Sequence, residues 1–197
     1  MTVTDQLKQE WFARLERLIA VCEALPPSGM RCLTHCTAMC CPRVKMRHMN
    51  RNEIASPVVV LLPFEMEYII EHVGGEPGNF RLMPVELSGD VSIQVGMLDL
   101  SNPCPFLRPD FRCGIYDRRP FDCRTFPLLP RLNAFGHIAW DYGQNCPSLH
   151  SINPAFDRQI RAVWEELHEI LPRTWWELYL MAEELGCPLP EECDVLK

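Results

Sequence analysis

No apolar run in this chain approaches the roughly 20 residues a membrane-spanning helix needs, which excludes a helical membrane protein. The first 25 residues also lack the apolar stretch of an export signal, because Asp5, Glu10, Glu16 and Glu23 interrupt it. The expected location is therefore the cytoplasm, with no membrane partner. No G-x-G-x-x-G follows a strand and no Walker loop is present, so nucleotide-cradling loops of those kinds are missing. G-x-S-x-G and H-E-x-x-H are absent as well. Internal repeats, low-complexity tracts and linkers are not evident. A net charge of −7 argues against bulk affinity for nucleic acid, although a local basic patch stays open.

What is present is an ordinary globular balance in 197 residues, 47% hydrophobic and 23% charged. That is one domain's length, enough to bury a core without covalent staples. The unusual feature is eleven cysteines, an odd count in a chain with no export signal. In a reducing compartment so many thiols point to metal binding rather than to disulfides.

Charge and cysteine are partitioned together. Residues 31–51 carry five basic residues (Arg31, Arg43, Lys45, Arg47, Arg51) and no acidic one. Residues 104–154 carry a net charge of +2, whereas 52–103 and 155–197 are acidic. The two positive blocks hold most of the cysteines. Nearby guanidinium and ammonium groups stabilise thiolates, the form that binds metal, although a solvated basic face would look the same.

The expected fold class is α+β: a small irregular cysteine-rich metal-binding core with a few short strands, flanked by N- and C-terminal helices. The whole chain, 1–197, is expected to form one domain, with an N-terminal helix in 1–29, the cysteine core in 30–150 and a helical pair in 151–197. Trp11, Leu15, Leu18, Ile19, Cys22 and Leu25 recur at helical spacing and predict a helix over 5–25, capped by Thr4 or Asp5. The run 57–62 (PVVVLL) predicts a strand. Pro63 opens a helix from Phe64 to Val73, closed by Gly74 and Gly75. Residues 76–90 read as loop, 91–100 as strand, 101–133 as irregular and 134–140 as strand. Asn153 caps a helix over 154–171, and Thr174 with Glu177 fits a capping box for a second. Trp164, Trp175 and Trp176 on these helices are expected in the core.

Eight cysteines cluster: Cys32, Cys36, Cys40 and Cys41 in one segment, then Cys104, Cys113, Cys123 and Cys146. Eight thiolates suffice for two four-coordinate sites, or for one with reserve ligands. Cys22, Cys187 and Cys193 lie outside the pattern and read as small buried hydrophobes. Tetrahedral zinc holds sulfurs near ~3.8 Å apart and usually relies on a C-x2-C knuckle. This chain has no C-x2-C. Its x3 gaps suit an iron–sulfur cluster of the 4Fe–4S type more easily, because a cubane spreads its thiolates over several irons. Zinc stays open, since a loop can fold ligands inward, and total charge does not separate the two. Cys40 and Cys41 are adjacent and point different ways, which suggests two sites sharing the segment, or one metal and a free thiol. With eight thiols available, His35 and His48 are not needed as ligands. The C-x3-C-x2-C spacing of radical adenosylmethionine enzymes is not matched.

The Cys32–Cys41 cluster, CPFL at 104–107, Cys113-Gly-Ile-Tyr and Arg119-Pro120-Phe121-Asp122-Cys123-Arg124-Thr125-Phe126-Pro127 together resemble the YkgJ-like cysteine-cluster family. That family is described as a zinc- or iron-chelating domain. The flagellin lysine N-methylases are similar to it in their cysteine cluster. The resemblance covers about residues 30–150. It departs from the family's tighter C-x2-C-x2-C-C form in the first segment.

Within the second segment, Tyr116 and Phe126 can wall water from a metal, and Pro120 and Pro127 can stiffen the loop. Arg119 and Arg124 are candidate cofactor- or anion-binding residues, donating to thiolates or to an anionic substrate, with plain surface charge or pairing to Asp117 or Asp122 as the alternative. Three functions compete. One is a redox, electron-transfer or small iron–sulfur enzyme role with an unidentified protein or redox partner. Another is a zinc-stabilised binding module. The third, from the resemblance alone, is a protein-lysine methyltransferase-like activity.

Overall fold

A computed structural model describes residues 2–25, 58–88, 91–99, 104–110, 112–142 and 152–185. The first helix, α1 (Val3–Ala24), buries Trp11, Leu15, Leu18 and Ile19 along one stripe, as their spacing demands. Its cap is Thr2, not Thr4 or Asp5. The Thr2 hydroxyl accepts the Asp5 N–H at 3.1 Å, and the Asp5 carboxylate accepts the Thr2 N–H at 2.8 Å. Asp5 thus belongs at the third helical position, where a carboxylate reaches back to the cap.

Three strands form an antiparallel sheet in the order β1-β3-β2: β1 (Val58–Val60), β2 (Arg81–Ser88) and β3 (Val91–Asp99). The unbroken apolar run through β1 follows from burial on both faces. Val58, Val60 and Leu62 enter a main core with Val85, Ile93, Val95 and Met97. Val59 and Leu61 enter a second, smaller core with Met66, Ile69, Phe80, Leu98 and Ile115. Helix α2 (Glu65–Val73) lies against the sheet, entered by Phe64 at φ 60° and left by Gly74 at φ 71°. A Cβ on Gly96 of β3 would sit 3.0 Å from the Met66 Cβ and 3.1 Å from a Leu61 methyl, so any larger residue would have to push these neighbours back by a few tenths of an ångström.

Residues 76–90, expected as loop, instead contain a 3-10 turn (Pro77–Asn79) and β2. β2 lies at the edge of the sheet, where Pro84 is tolerated opposite Gln94. The segment expected to be irregular after residue 101 also acquires regular structure. It contains α3 (Phe121–Thr125) and β4 (Leu128–Leu132), which pairs antiparallel with β5 (Ile138–Tyr142). The strand expected at 134–140 starts later because the Asn133 side chain accepts the N–H groups of Phe135 and His137, building a turn.

Helix α4 (Pro154–Ile170) begins at Asn153, whose side chain accepts the Ala155 N–H at 2.9 Å, as expected. Helix α5 (Arg173–Leu185) starts before Thr174, so the expected capping box is not formed. The Thr174 hydroxyl donates to the Glu86 carbonyl of β2, and Glu177 pairs with Arg173. Trp164, Trp175, Trp176 and Tyr179 meet in the main core, as expected for the tryptophans. The described residues thus carry the α+β architecture with helices at both ends. Among them, no helix is long and apolar enough to cross a membrane.

Candidate metal centre

Two loops bring motif cysteines to the second core. In the first, the Cys104 carbonyl accepts the Leu107 N–H at 2.9 Å, Leu107 is bridged antiparallel to Cys113, and the Gly114 N–H donates to the Phe106 carbonyl at 2.8 Å. These bonds pair Phe106 and Leu107 with Cys113 and Gly114, so Cys113 lies opposite Leu107 and Cys104 opens the turn that leads into the pairing. Gly114 lets the two runs approach closely: a Cβ there would stand 3.1 Å from the Phe106 carbonyl oxygen, and the backbone would have to give by a few tenths of an ångström. Phe106 packs beside Phe80, with ring centroids 6.0 Å apart, and anchors the hairpin on the apolar cluster.

In the second loop, Cys123 occupies the middle of α3. Arg124 organises the approach to it. Its side chain is only 2% exposed. Its Nε donates to the Arg119 carbonyl at 3.1 Å and its Nη2 to the Asp117 carbonyl. The Glu23 carboxylate of α1 stands 4.0 Å away. Arg119 donates to the Tyr116 carbonyl at 2.8 Å and stacks over the Tyr116 ring, 3.8 Å from its centroid. Both candidate arginines therefore hold carbonyls of the loop that carries Cys123. Arg118 donates to the Tyr68 hydroxyl at 2.7 Å and to Glu16 at 3.2 Å, and Tyr68 donates to Glu16, so the same loop is fastened to α1 and α2. The Tyr68 hydroxyl keeps the Glu16 carboxyl below the usual range.

Glu65 was not singled out in the sequence. It is buried at the start of α2, where one carboxylate oxygen accepts the Leu62 N–H at 2.8 Å and the other accepts the Phe121 N–H at 2.6 Å. Burial pushes its carboxyl up to about 7; the two N–H groups and the Arg124 charge pull the other way without prevailing. The only sequence signal is an acidic residue opening a helix directly after an apolar strand.

This shift has a consequence for stability. A carboxyl whose folded pKa lies above its unfolded value of 4.5 binds more protons when folded between 4.5 and about 7. Stability from this group is therefore full below about pH 4.5 and falls as pH rises through about 7, by up to about 3 kcal/mol. Urea unfolding at pH 5 and pH 8 is expected to show that decline in the native chain and not in Glu65→Gln. An equal slope in both chains counts against it.

Cys104, Cys113 and Cys123 are all half-buried and all pack against the second core. Cys32, Cys36, Cys40, Cys41 and Cys146 lie outside the described residues, as do His35, His48, Cys187 and Cys193. Among the described residues, no three His, Cys, Asp or Glu side chains form a group able to hold a metal ion. Cys22 packs beside the main core, and burial raises its thiol to about 11. It is a protonated small hydrophobe at neutral pH, as its position outside the pattern implied. The donor chemistry on the second core, three half-buried soft thiols packed on an apolar cluster, fits a thiophilic metal.

A family model named CxxCxxCC, described as a "putative zinc- or iron-chelating domain", matches residues 31–147. No curated protein matches the chain, and no solved structure does.

Proposed function

The chain belongs to the CxxCxxCC family of zinc- or iron-chelating domains, and from that premise we propose that it is an iron–sulfur protein with a redox, electron-transfer or small-enzyme role. The observation that carries this reading is the convergence of motif thiols from two separate loops on one apolar cluster. Cys104, Cys113 and Cys123 are the proposed ligands there, with Cys32, Cys36, Cys40, Cys41 and Cys146 completing the set. A bound iron–sulfur cluster would supply one-electron transfer at a potential set by its surroundings.

The chain's own residues supply those surroundings. Val59, Leu61, Ile69 and Leu98 exclude water from the thiols' inner side. Arg119 and Arg124 place positive charge on the loop that carries Cys123, which favours thiolate over thiol. The hairpin bonds at Leu107 and Gly114 fix the two thiols of the first loop relative to each other. The working partner would be a protein that gives or takes an electron.

Zinc is the second reading, supported by the family's description as zinc- or iron-chelating and by thiolates being ordinary structural zinc ligands. The separating experiment is metal and acid-labile sulfide content after anaerobic purification, with an absorbance spectrum. Iron with stoichiometric sulfide and a broad band near ~400 nm is expected. Zinc alone, with no visible absorbance, would sink the redox role. Cys104→Ser, Cys113→Ser and Cys123→Ser are each expected to lower metal content, and Cys187→Ser is not. Full metal in Cys123→Ser would overturn the ligand assignment.

A further inference from the structure

We infer that Glu65 is a positioning residue for the metal centre, acting by fixing the short turn that carries Cys123. This rests on the reading of Cys123 as a ligand. α3 has five residues, so few that backbone bonds such as that from the Arg124 N–H to the Pro120 carbonyl at 3.1 Å leave it marginal without outside support. The N–H of Phe121, its first residue, has no acceptor inside so short a helix. Glu65 supplies that acceptor from 56 positions earlier in the chain, at 2.6 Å, while its second oxygen takes the Leu62 N–H at 2.8 Å. The residue is 4% exposed, so water is poorly placed to substitute. One carboxyl thus ties the end of the β1 segment to the start of the cysteine turn. Arg124 ties the preceding loop through the carbonyls of Asp117 and Arg119. Cys123 lies between these two fastenings.

The geometry makes a sharp demand on the side chain. As a carboxylate Glu65 accepts a backbone N–H at each oxygen, so two acceptors are needed in one planar group. A glutamine amide offers one acceptor, and its NH2 would face a backbone N–H with which it cannot bond. Glu65→Gln keeps the shape and breaks the tie. Glu65→Asp keeps both acceptors but is one methylene shorter.

The test uses the full chain carrying the metal it holds after anaerobic purification, with EDTA as competitor. Four variants run beside wild type: Glu65→Gln, Glu65→Asp, Cys123→Ser and Leu15→Ala. Leu15 is 1% exposed in the main core, and its truncation controls for simple destabilisation. Glu65→Gln is expected to lose metal about 10–100-fold more readily than wild type, the range typical of groups that orient ligands. Leu15→Ala should keep its metal although it melts earlier. Metal retention in Glu65→Gln no worse than in Leu15→Ala, with Cys123→Ser depleted, overturns the inference alone. Full metal in Cys123→Ser instead overturns the ligand reading beneath it. If Glu65→Gln does not accumulate as folded chain, Glu65→Asp decides: metal loss between wild type and Cys123→Ser supports the inference, and wild-type retention overturns it.

Discussion

Trp164→Ala is expected to lower the unfolding free energy by about 3–5 kcal/mol, the range for deleting a large buried aromatic. Trp164 is 1% exposed. Its ring lies 5.2 Å from Phe121, 6.3 Å from Trp175, 6.2 Å from Trp176 and 6.1 Å from Tyr179, centroid to centroid. Few neighbours can collapse into the space, because each is itself a large ring held on another element. Trp164→Phe is expected to cost less than half as much. It keeps most of the apolar contact and removes a buried indole N–H that has no hydrogen-bond partner among the described residues. Trp175→Phe should be the more costly of the two phenylalanine variants, because the Trp175 indole donates to the Leu61 carbonyl at 2.8 Å. Urea unfolding of the three variants checks the order. Equal losses in the two phenylalanine variants would remove the role assigned to that bond.

Arg124→Met is expected to cost about 2–5 kcal/mol. The methionine retains much of the apolar stem, so the loss falls on the guanidinium. Two loop carbonyls, of Asp117 and Arg119, lose a charged donor, at about 1–3 kcal/mol for each such hydrogen bond, with water able to replace part of it because Asp117 is exposed and Arg119 half-buried. The ion pair with Glu23 contributes little, because that carboxylate is exposed and 4.0 Å away. Arg124 is also a cation that draws the Glu65 carboxyl downward. Its removal should move the Glu65-dependent fall in stability to higher pH. Thermal melts between pH 5 and pH 8 test both effects. A cost under about 1 kcal/mol with an unmoved pH profile would show that the buried guanidinium is dispensable.

The elements legible in the sequence were those with strong periodicity or an unbroken apolar run. α1 and α4 display a helical stripe, and β1 is apolar through its whole length because it faces two cores. β2 was missed because it is an edge strand: Leu82, Pro84 and Glu86 face solvent, and Val85 alone is deeply buried on it among the described side chains. β4 contains Pro130, which reads locally as a break, yet here lies opposite Trp140 in a two-stranded pair. α3 has no period to detect. Its form is imposed by Glu65 and Arg124, whose partners are fixed by the tertiary fold.

The candidate site was legible to a similar degree. Spacing and composition single out Cys104, Cys113 and Cys123 as candidate ligands, but do not show that two loops share an apolar wall. In the sequence Arg119 and Arg124 read as charges near a cysteine. Their bonds to loop carbonyls depend on a chain path that local sequence does not specify. Glu65 was invisible because a buried acid is recognisable only by the N–H groups around it, and one of those is 56 positions distant.

The bond from Trp175 to the Leu61 carbonyl gives the molecule a built-in optical reporter. Leu61 follows β1 directly, faces the second core and lies one residue before Leu62, whose N–H is held by Glu65. An indole on α5 thus rests its polar edge on the peptide chain that separates the aromatic core from the side where the motif cysteines pack. Because the chain has five tryptophans, the share of the emission that this contact sets is the difference between the native chain and Trp175→Phe, and a metal-dependent shift in that difference is the expected sign of binding on the thiol side.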